Sequence, residues 1–334
     1  MEYKRIGLLA FFIFSIALFS FSNTLKKYQQ SFGLMGSDFE IAVISDSKVK
    51  ADSVIKIAYN EIVRIEKLIS SWDKNSQTTL INNNAGIKPV LVQEELFNLI
   101  RRAKKVSRLS NGAFDISYAS MDKIWKFDGT MTKVPSPEKV KESVSKINYQ
   151  NIILNETDYT VFLKQKGMRI GFGAIGKGYA ANKARAILIA NGVNSGMINA
   201  GGDLITWGDG LKGKKWKIGI ADPEKERAFV SWLEVNEMAV VTSGNYEKFT
   251  MIDGVKYAHI IDPRTGYPIT GLKSVTIVCP DAELADALAT TVFVLGQERG
   301  LALINKLEAI ECIIINDKNE IITSDTIKVS SNEN

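Results

Sequence analysis

Between Lys50 and Ser70 the apolar residues Val54, Ala58, Ile62, Ile65 and Ile69 recur three or four positions apart, which puts them on one face of a long amphipathic helix. Glu94 to Ser107 repeats the pattern through Leu96, Leu99, Ile100 and Ala103 and predicts a second helix. Further helices are expected after Pro135 and Pro137, from about Lys177 to Asn191, and as a final pair from Ala282 to Leu295 and from Gln297 to Lys306. Extended segments are expected at Phe32 to Ser45, broken by Gly36, at Ile152 to Leu154 and at Thr160 to Leu163. Short apolar runs punctuated by glycine then follow one another: Gly196 to Asn199, Leu204 to Trp207, Trp216 to Ile220, Ala239 to Val241, Ser274 to Val278 and Ile313 to Ile315. Strands arrive in runs instead of alternating with helices, so the expected class is α+β and not a doubly wound parallel sheet.

The start of the chain breaks this pattern. Lys4 and Arg5 precede an almost unbroken apolar run from Ile6 to Phe21, and Ser20-Phe21-Ser22 supplies small residues around a cleavage point after Ser22. That layout predicts a secretory leader over residues 1–22, with an uncleaved anchor in the inner membrane as the alternative, since the run is short for a membrane span. A polar linker, residues 23–31, then leads to one folded domain, residues 32–330. The expected location is periplasmic. No Cys follows the apolar run, so a lipoprotein is not expected.

Composition narrows the chemistry. With 334 residues and 45% hydrophobic positions the chain can bury a substantial core. The net charge of +5 is modest, and its basic residues are scattered apart from Lys212 to Lys217, which reads as a solvated loop; no nucleic-acid partner is expected. Cys279 and Cys312 lie in apolar runs and fit either one disulfide or two buried thiols. A single histidine, His259, and no CxxC argue against a zinc site.

Four segments carry candidate chemistry. Gly171-Phe172-Gly173-Ala174-Ile175-Gly176-Lys177-Gly178 precedes a predicted helix, where close backbone approach, the helix dipole and Lys177 all favour a phosphate. It nearly satisfies two nucleotide-binding patterns. The acidic residue of a dinucleotide fold is missing, however, and Gly178 stands where a Walker A loop needs Ser or Thr; a tight structural turn is the alternative. Asn199-Ala200-Gly201-Gly202-Asp203 reads as a hairpin turn whose Asp203 can meet a ligand hydroxyl. Thr242 to Tyr246 and His259 to Pro268 gather hydroxyls, an imidazole, a carboxylate and the guanidinium of Arg264, the materials of a general base and a phosphate clamp. Asp286 and Thr290 are four apart on a helix and offer two hard oxygens on one face, of the kind magnesium takes; a plain polar stripe is the alternative.

Together and in this order, the segments resemble the ApbE family, the FAD:protein FMN transferases. The matching pieces are Met35-Gly36-Ser37, Ser70-Ser71-Trp72, Gly112-Ala113-Phe114-Asp115, Ala174 to Ala180, Asn199 to Asp203, Thr242 to Tyr246, His259 to Pro268 and Ala285 to Thr290. The resemblance covers nearly everything after residue 30, and its specificity lies in the ordered set. It implies an ApbE-like, T-fold-related α+β architecture of mixed or antiparallel sheets with packed helices. It also implies a Mg²⁺-dependent transferase that joins the FMN half of FAD to a Thr or Ser hydroxyl of a target protein through a phosphoester, releasing AMP. Carried over residue by residue, Met35, Trp72, Ala113, Phe114, Asp115, Lys177 and Ile261 are the implied FAD contacts. The Ala174 carbonyl with the side chains of Asp286 and Thr290 is the implied magnesium site, and His259 the implied base or orienter of the acceptor hydroxyl. The family's usual acceptors are electron-transfer subunits facing the periplasm. An FAD pyrophosphatase on the same scaffold and a non-catalytic flavin-binding protein are the competing readings. Two positions depart from the family pattern: Gly171-Phe172 stands where Asp-Leu is usual, so one cofactor contact is lost or replaced, and Ala289 stands where some members carry a second acid.

Overall fold

The computed structural model describes residues 24–225, 228–246 and 248–327; the expected leader, residues 1–22, lies outside the described residues. A hairpin of β1 (Lys26–Leu34) and β2 (Ser37–Ser45) opens the chain, followed by α1 (Lys48–Ile69), α2 (Gln77–Asn83), β3 (Val90–Leu91), α3 (Glu94–Leu109) and α4 (Pro137–Ser143). Then come β4 (Ile152–Asn155), β5 (Thr160–Leu163), α5 (Gly176–Ala190), β6 (Gly196–Ala200), β7 (Asp203–Trp207), β8 (Trp216–Ala221) and β9 (Phe229–Val235). The last part holds β10 (Ala239–Gly244), β11 (Phe249–Ile252), β12 (Val255–Ala258), β13 (Leu272–Cys279), α6 (Ala282–Leu295), α7 (Gln297–Ile304), β14 (Glu311–Asn316) and β15 (Ile321–Thr323).

Eight strands form one antiparallel sheet in the order β1-β2-β6-β7-β10-β13-β14-β15. Because alternate residues of a strand face opposite ways, the sheet feeds two cores. Phe39, Ile41, Val275, Ile277, Cys312 and Ile314 enter the main core beneath the helices. Ala42, Val278 and Ile313 enter a smaller one under the β8–β9 hairpin, with Trp216, Ile218 and Leu233. The α+β expectation holds, and smaller sheets β3-β5-β4, β8-β9 and β11-β12 flank the large one.

The first strand begins at Lys26, inside the stretch read from sequence as a polar linker. As an edge strand it is paired on one side only, and its outward positions are polar, so its sequence lacks an apolar alternation. Met35 and Gly36, both at positive φ (51° and 73°), make the tight turn where the extended segment was expected to break. Cys279 and Cys312 are free buried thiols on β13 and β14, and burial pushes them up to about 11 and about 12. Among the described residues no helix is long and apolar enough to cross a membrane.

A charged knot ties three helices together outside the core. Glu95 of α3 accepts from Arg64 of α1 (2.7 Å), Tyr179 of α5 (2.5 Å) and Lys183 of α5 (3.1 Å). Burial alone would raise the Glu95 carboxyl, but these donors outweigh it and hold the group at about 2. A carboxyl depressed in this way stabilises the fold above its ordinary value and loses that contribution as pH falls towards the folded value. The Tm of the protein is therefore expected to fall between about pH 4.5 and pH 2. In Glu95→Gln the Tm at neutral pH is lower and the fall over that window is shallower; parallel acid-titration melts of the two proteins check this.

Candidate active site

α6 is apolar on nearly every side, because it is packed between the sheet, α5 and α7; Ala285, Ala287, Leu288, Ala289 and Val292 are wholly buried. Asp286 sits in its middle, 5% exposed. A buried carboxylate is costly unless donors meet it, and Asp286 Oδ2 accepts from the Gly178 amide at 3.1 Å, at the start of α5. The positive end of the α5 dipole favours an acid in that position. The two helices approach so closely here that a Cβ at Gly178 would lie 2.1 Å from the Ala282 carbonyl oxygen. No side chain fits at 178, which is why the Walker-like Ser or Thr is absent.

In front of this contact opens a cleft of about 440 Å³. Its wall includes Trp72, Ala113, Phe114, Asp115, Ala174, Lys177, His259, Ile261, Asp286 and Thr290, so ten of the residues singled out from sequence converge on one space. Of the implied FAD contacts, Met35 does not reach it. It stands on the β1–β2 turn, its amide donates to Glu66 Oε1 (3.0 Å), and its Cε reaches within 3.5 Å of where a Gly176 Cβ would be. It therefore packs behind the glycine loop and does not line the cleft.

The convergent groups differ in how they are held. Asp115 is buried with both oxygens engaged: Oδ1 accepts from the Ser117 amide (2.8 Å) and hydroxyl (2.6 Å), Oδ2 from the Tyr149 amide (2.7 Å). Burial pushes its carboxyl above the usual range against those bonds. It shapes the wall by fixing the turn that carries Ala113 and Phe114. Arg264, a clamp candidate, forks onto Asp262 through Nε (2.8 Å) and Nη2 (2.7 Å) and lies off the cleft wall. The main-chain carbonyl of Lys248 meets His259 Nδ1 at 3.2 Å. A carbonyl only accepts, so Nδ1 carries the proton and Nε2 is the basic nitrogen of the neutral ring. Thr290 Oγ1 lies 3.5 Å from Ser243 Oγ on β10. Trp72 is 79% exposed at the mouth, with Lys123 Nζ 4.7 Å from its ring centre. A second compartment of about 360 Å³ shares Trp72, Tyr118 and Ile261 with the first and adds Met121, Trp125 and Phe127.

Asp203 is the residue the sequence reading undervalued. Gly201 and Gly202, at φ 62° and 100°, form the expected hairpin turn, and the Gly202 amide donates to Asn199 Oδ1 (2.8 Å). The pairing of Val241 with Asp203 then brings this carboxylate beside Thr242 and Ser243 on the cleft wall. There it lies 3.0 Å from Lys177 Nζ, its own side chain only 2% exposed. At 171, where the family usually has Asp, a Cβ would already be 3.1 Å from the Ala119 Cβ, so here the wall is closed by Ala119 against glycine.

Among the described residues no three His, Cys, Asp or Glu side chains converge as a metal cage. A cation in this cleft would rest on the Asp286 carboxylate, the Thr290 hydroxyl and the Ala174 carbonyl, an all-oxygen set of the kind Mg²⁺ takes together with waters or phosphate oxygens. The buried Asp286 carboxylate, facing the cleft from a largely apolar helix, fits such an ion.

Fold and cleft together define an antiparallel-sheet α+β protein with a two-compartment ligand cleft at a glycine-loop helix start. The chain belongs to the ApbE family, which it matches over residues 35–314. It is 35% identical over 301 residues to the FAD:protein FMN transferase of Klebsiella pneumoniae (strain 342), covering 90% of this chain and 92% of that protein. A FAD:protein FMN transferase of Treponema pallidum is 31% identical over 94% of this chain and 91% of its own. The crystal structure of the ApbE protein of Thermotoga maritima superposes with a TM-score of 0.82 at 31% identity, over 90% of this chain and 98% of that one.

Removing one partner of a buried ion pair leaves the other charge uncompensated, while removing both is far less costly. Asp203→Asn is expected to lower unfolding stability by about 2 kcal/mol, less than a fully buried pair because Lys177 is partly solvated. Adding Lys177→Met should restore most of it. Urea midpoints of the wild type, both single variants and the double variant close that cycle.

Proposed function

We propose that this chain is a Mg²⁺-dependent FAD:protein FMN transferase, which moves FMN from FAD to a Ser or Thr hydroxyl of an acceptor protein and releases AMP. The observation that carries the reading is that Asp286, held against the start of α5 by the Gly178 amide, shares one cleft wall with Thr290, Ala174 and His259. The names of its relatives, each an FAD:protein FMN transferase, agree with it. The cleft has two compartments that meet at Trp72 and Tyr118, which suits a ligand with two planar ends joined by phosphates.

In this reading the FAD pyrophosphate lies against the glycine loop, where the α5 N-terminus and Lys177 favour negative charge. Trp72, Ala113, Phe114 and Ile261 supply apolar surface for the rings. Asp286, Thr290 and the Ala174 carbonyl would hold a cation, which would supply positive charge against that developing on the phosphates. His259 Nε2 takes the proton of the acceptor hydroxyl, and its Nδ1–H stays bonded to the Lys248 carbonyl. The acceptor oxygen forms a bond to the FMN phosphorus opposite the AMP oxygen, the P–O bond to AMP breaks, and AMP leaves with the electron pair. The apolar leader in the sequence supports an exported enzyme acting on proteins of that same compartment.

Incubation of the protein with FAD, Mg²⁺ and a candidate acceptor is expected to add the mass of FMN to the acceptor and release AMP in equal amount. AMP released at the same rate without acceptor would mark a pyrophosphatase instead, and intact FAD after long incubation a binding protein. Asp286→Ala should reduce transfer by about three orders of magnitude, the loss expected of a missing metal ligand. His259→Ala should slow turnover about 10²-fold or more with FAD affinity nearly unchanged. Equal losses of affinity and turnover in the His259 variant would rule out the base role.

A further inference from the structure

The stretch Lys212 to Lys217, expected from sequence to be a solvated loop, lies at the end of the molecule remote from the cleft. α5 begins at the glycine loop beside the cleft, while residues 191–195, which follow its last turn, line a groove together with Val49 and Lys50 at the first turn of α1. α1 in turn ends at Ile69, just before the cleft residues Ser71 and Trp72. The two helices therefore run antiparallel between the two ends. α5 has 15 residues, roughly 22 Å at about 1.5 Å per residue.

The remote groove, about 1030 Å³, is framed by Leu25, Val49, Lys50, Leu211 and Lys212. Its aliphatic members stand far into solvent: Val49 is 79% exposed, Leu25 58% and Leu211 40%. Lys26, Lys27, Lys214 and Lys215 are exposed next to them in the chain, and with Lys212 they form no ion pair among the described residues. Lys48 and Lys50 are matched by Asp52 (2.6 Å) and Asp46 (3.1 Å), and Asp209 adds one negative charge to the groove. Lys212 lines the groove, Lys214 and Lys215 follow it in the chain, and Lys26 and Lys27, on opposite faces of β1, place one lysine on either side of that edge, so the exposed aliphatic side chains lie among lysines without an acidic partner among the described residues. Leu25 of this groove follows the apolar run Ile6 to Phe21 closely in sequence.

We propose that this end of the molecule docks on an anionic lipid bilayer, its lysines against the headgroups and Leu25, Val49 and Leu211 at the interface, with the cleft turned away from the membrane. Basic residues interspersed with protruding aliphatic ones suit a lipid surface, where charge attraction and shallow apolar insertion add. The apolar run that leads into this end points to the same partner. The docked enzyme would hold its cleft roughly 20–30 Å above the headgroups, the reach of α5 and α1, at the height of a protein domain projecting from the bilayer.

The chain from Asn23 onward is suited to the test. Among the described residues the core contacts before Leu34 come from Tyr28 and Phe32, both kept in this chain, and the Thermotoga maritima protein keeps this fold over 98% of its length while matching 90% of this chain. It is sedimented with vesicles of phosphatidylcholine alone or with about a third phosphatidylglycerol. Binding is expected only to the anionic vesicles and should weaken steeply as salt rises. Replacing Lys212, Lys214 and Lys215 by Gln should weaken it about a hundredfold, at about 1 kcal/mol per lysine. The same charge change at Lys133, Lys139 and Lys141 should leave binding intact. Those residues lie on and before α4, whose Val140, with Val144 just after it, packs against Gly266 in the His259 to Pro268 segment at the cleft end. All replaced lysines are exposed, so Tm should be unchanged. Absence of any preference for anionic vesicles, or equal losses in the two triple variants, would overturn the proposal. Either result leaves the flavin-transfer reading untouched, since no step of the assay uses it.

Discussion

The structure depends on the contact between the first turn of α5 and the middle of α6. Gly178 has no side chain, and only for that reason does the Ala282 carbonyl come within what would be 2.1 Å of a Cβ. The approach sets Asp286 under the Gly178 amide and at the positive end of α5, which is what makes a carboxylate tolerable on so apolar a helix. Everything chemical in the cleft is referred to this point. The glycine loop ends there, Thr290 follows one turn along α6, and β10 brings Ser243 across to Thr290. A larger residue at 178 would separate the helices and move the carboxylate and the loop carbonyl apart together.

Much of this was legible in the sequence because it is local. The spacing of Asp286 and Thr290 declares a shared helix face, and the glycines before Lys177 declare a helix start. α1 and α3 follow from their apolar periodicity. Most of the elements that were missed lack such a signal, the exception being β9, whose run Phe229 to Val235 alternates exposed and buried positions. α2 buries only Thr78 and Ile81, and β11 and β12 bury one side of a short isolated hairpin. β1 is an edge strand whose lysines and glutamines disguise it. Asp203 was hidden for a different reason. Its turn was recognised, but its role depends on the pairing of β7 with β10 and on a lysine 26 positions earlier, Asp203 and Lys177 being joined only through the sheet. The same limit explains Met35, whose backbone turns away at positive φ and sends the side chain behind the loop, and Arg264, which found a nearer carboxylate in Asp262.

The long helices give the molecule a polarity that neither sheet face supplies. An antiparallel sheet with helices on one side is nearly symmetric end to end, yet here one end carries the glycine loop, Trp72 and His259 and the other carries exposed lysines and aliphatics. Because α1 and α5 are long and rigidly packed in the main core, the two ends are held at a fixed separation. Orientation at one end is thereby orientation at the other. For an enzyme whose acceptor is itself a protein, this turns a diffuse encounter in three dimensions into one with a preferred height and direction.

The acids of the cleft decide how its two small ligands depend on each other. Of the three carboxylates on the wall, Asp115 is consumed by Ser117 and Tyr149, and Asp203 is held by Lys177. That leaves Asp286 with a hydroxyl and a carbonyl as the hard-oxygen set, and Ala289, where a second acid would stand, is wholly buried in the core. One carboxylate offers a divalent cation too little charge to bind tightly alone. In the proposed reaction the missing negative charge comes with the dinucleotide, whose phosphates the α5 N-terminus and Lys177 already favour. In that reaction each ligand would raise the affinity for the other by the same factor, as linkage requires. On that reading the cleft would gather its full cation site only with the dinucleotide in place.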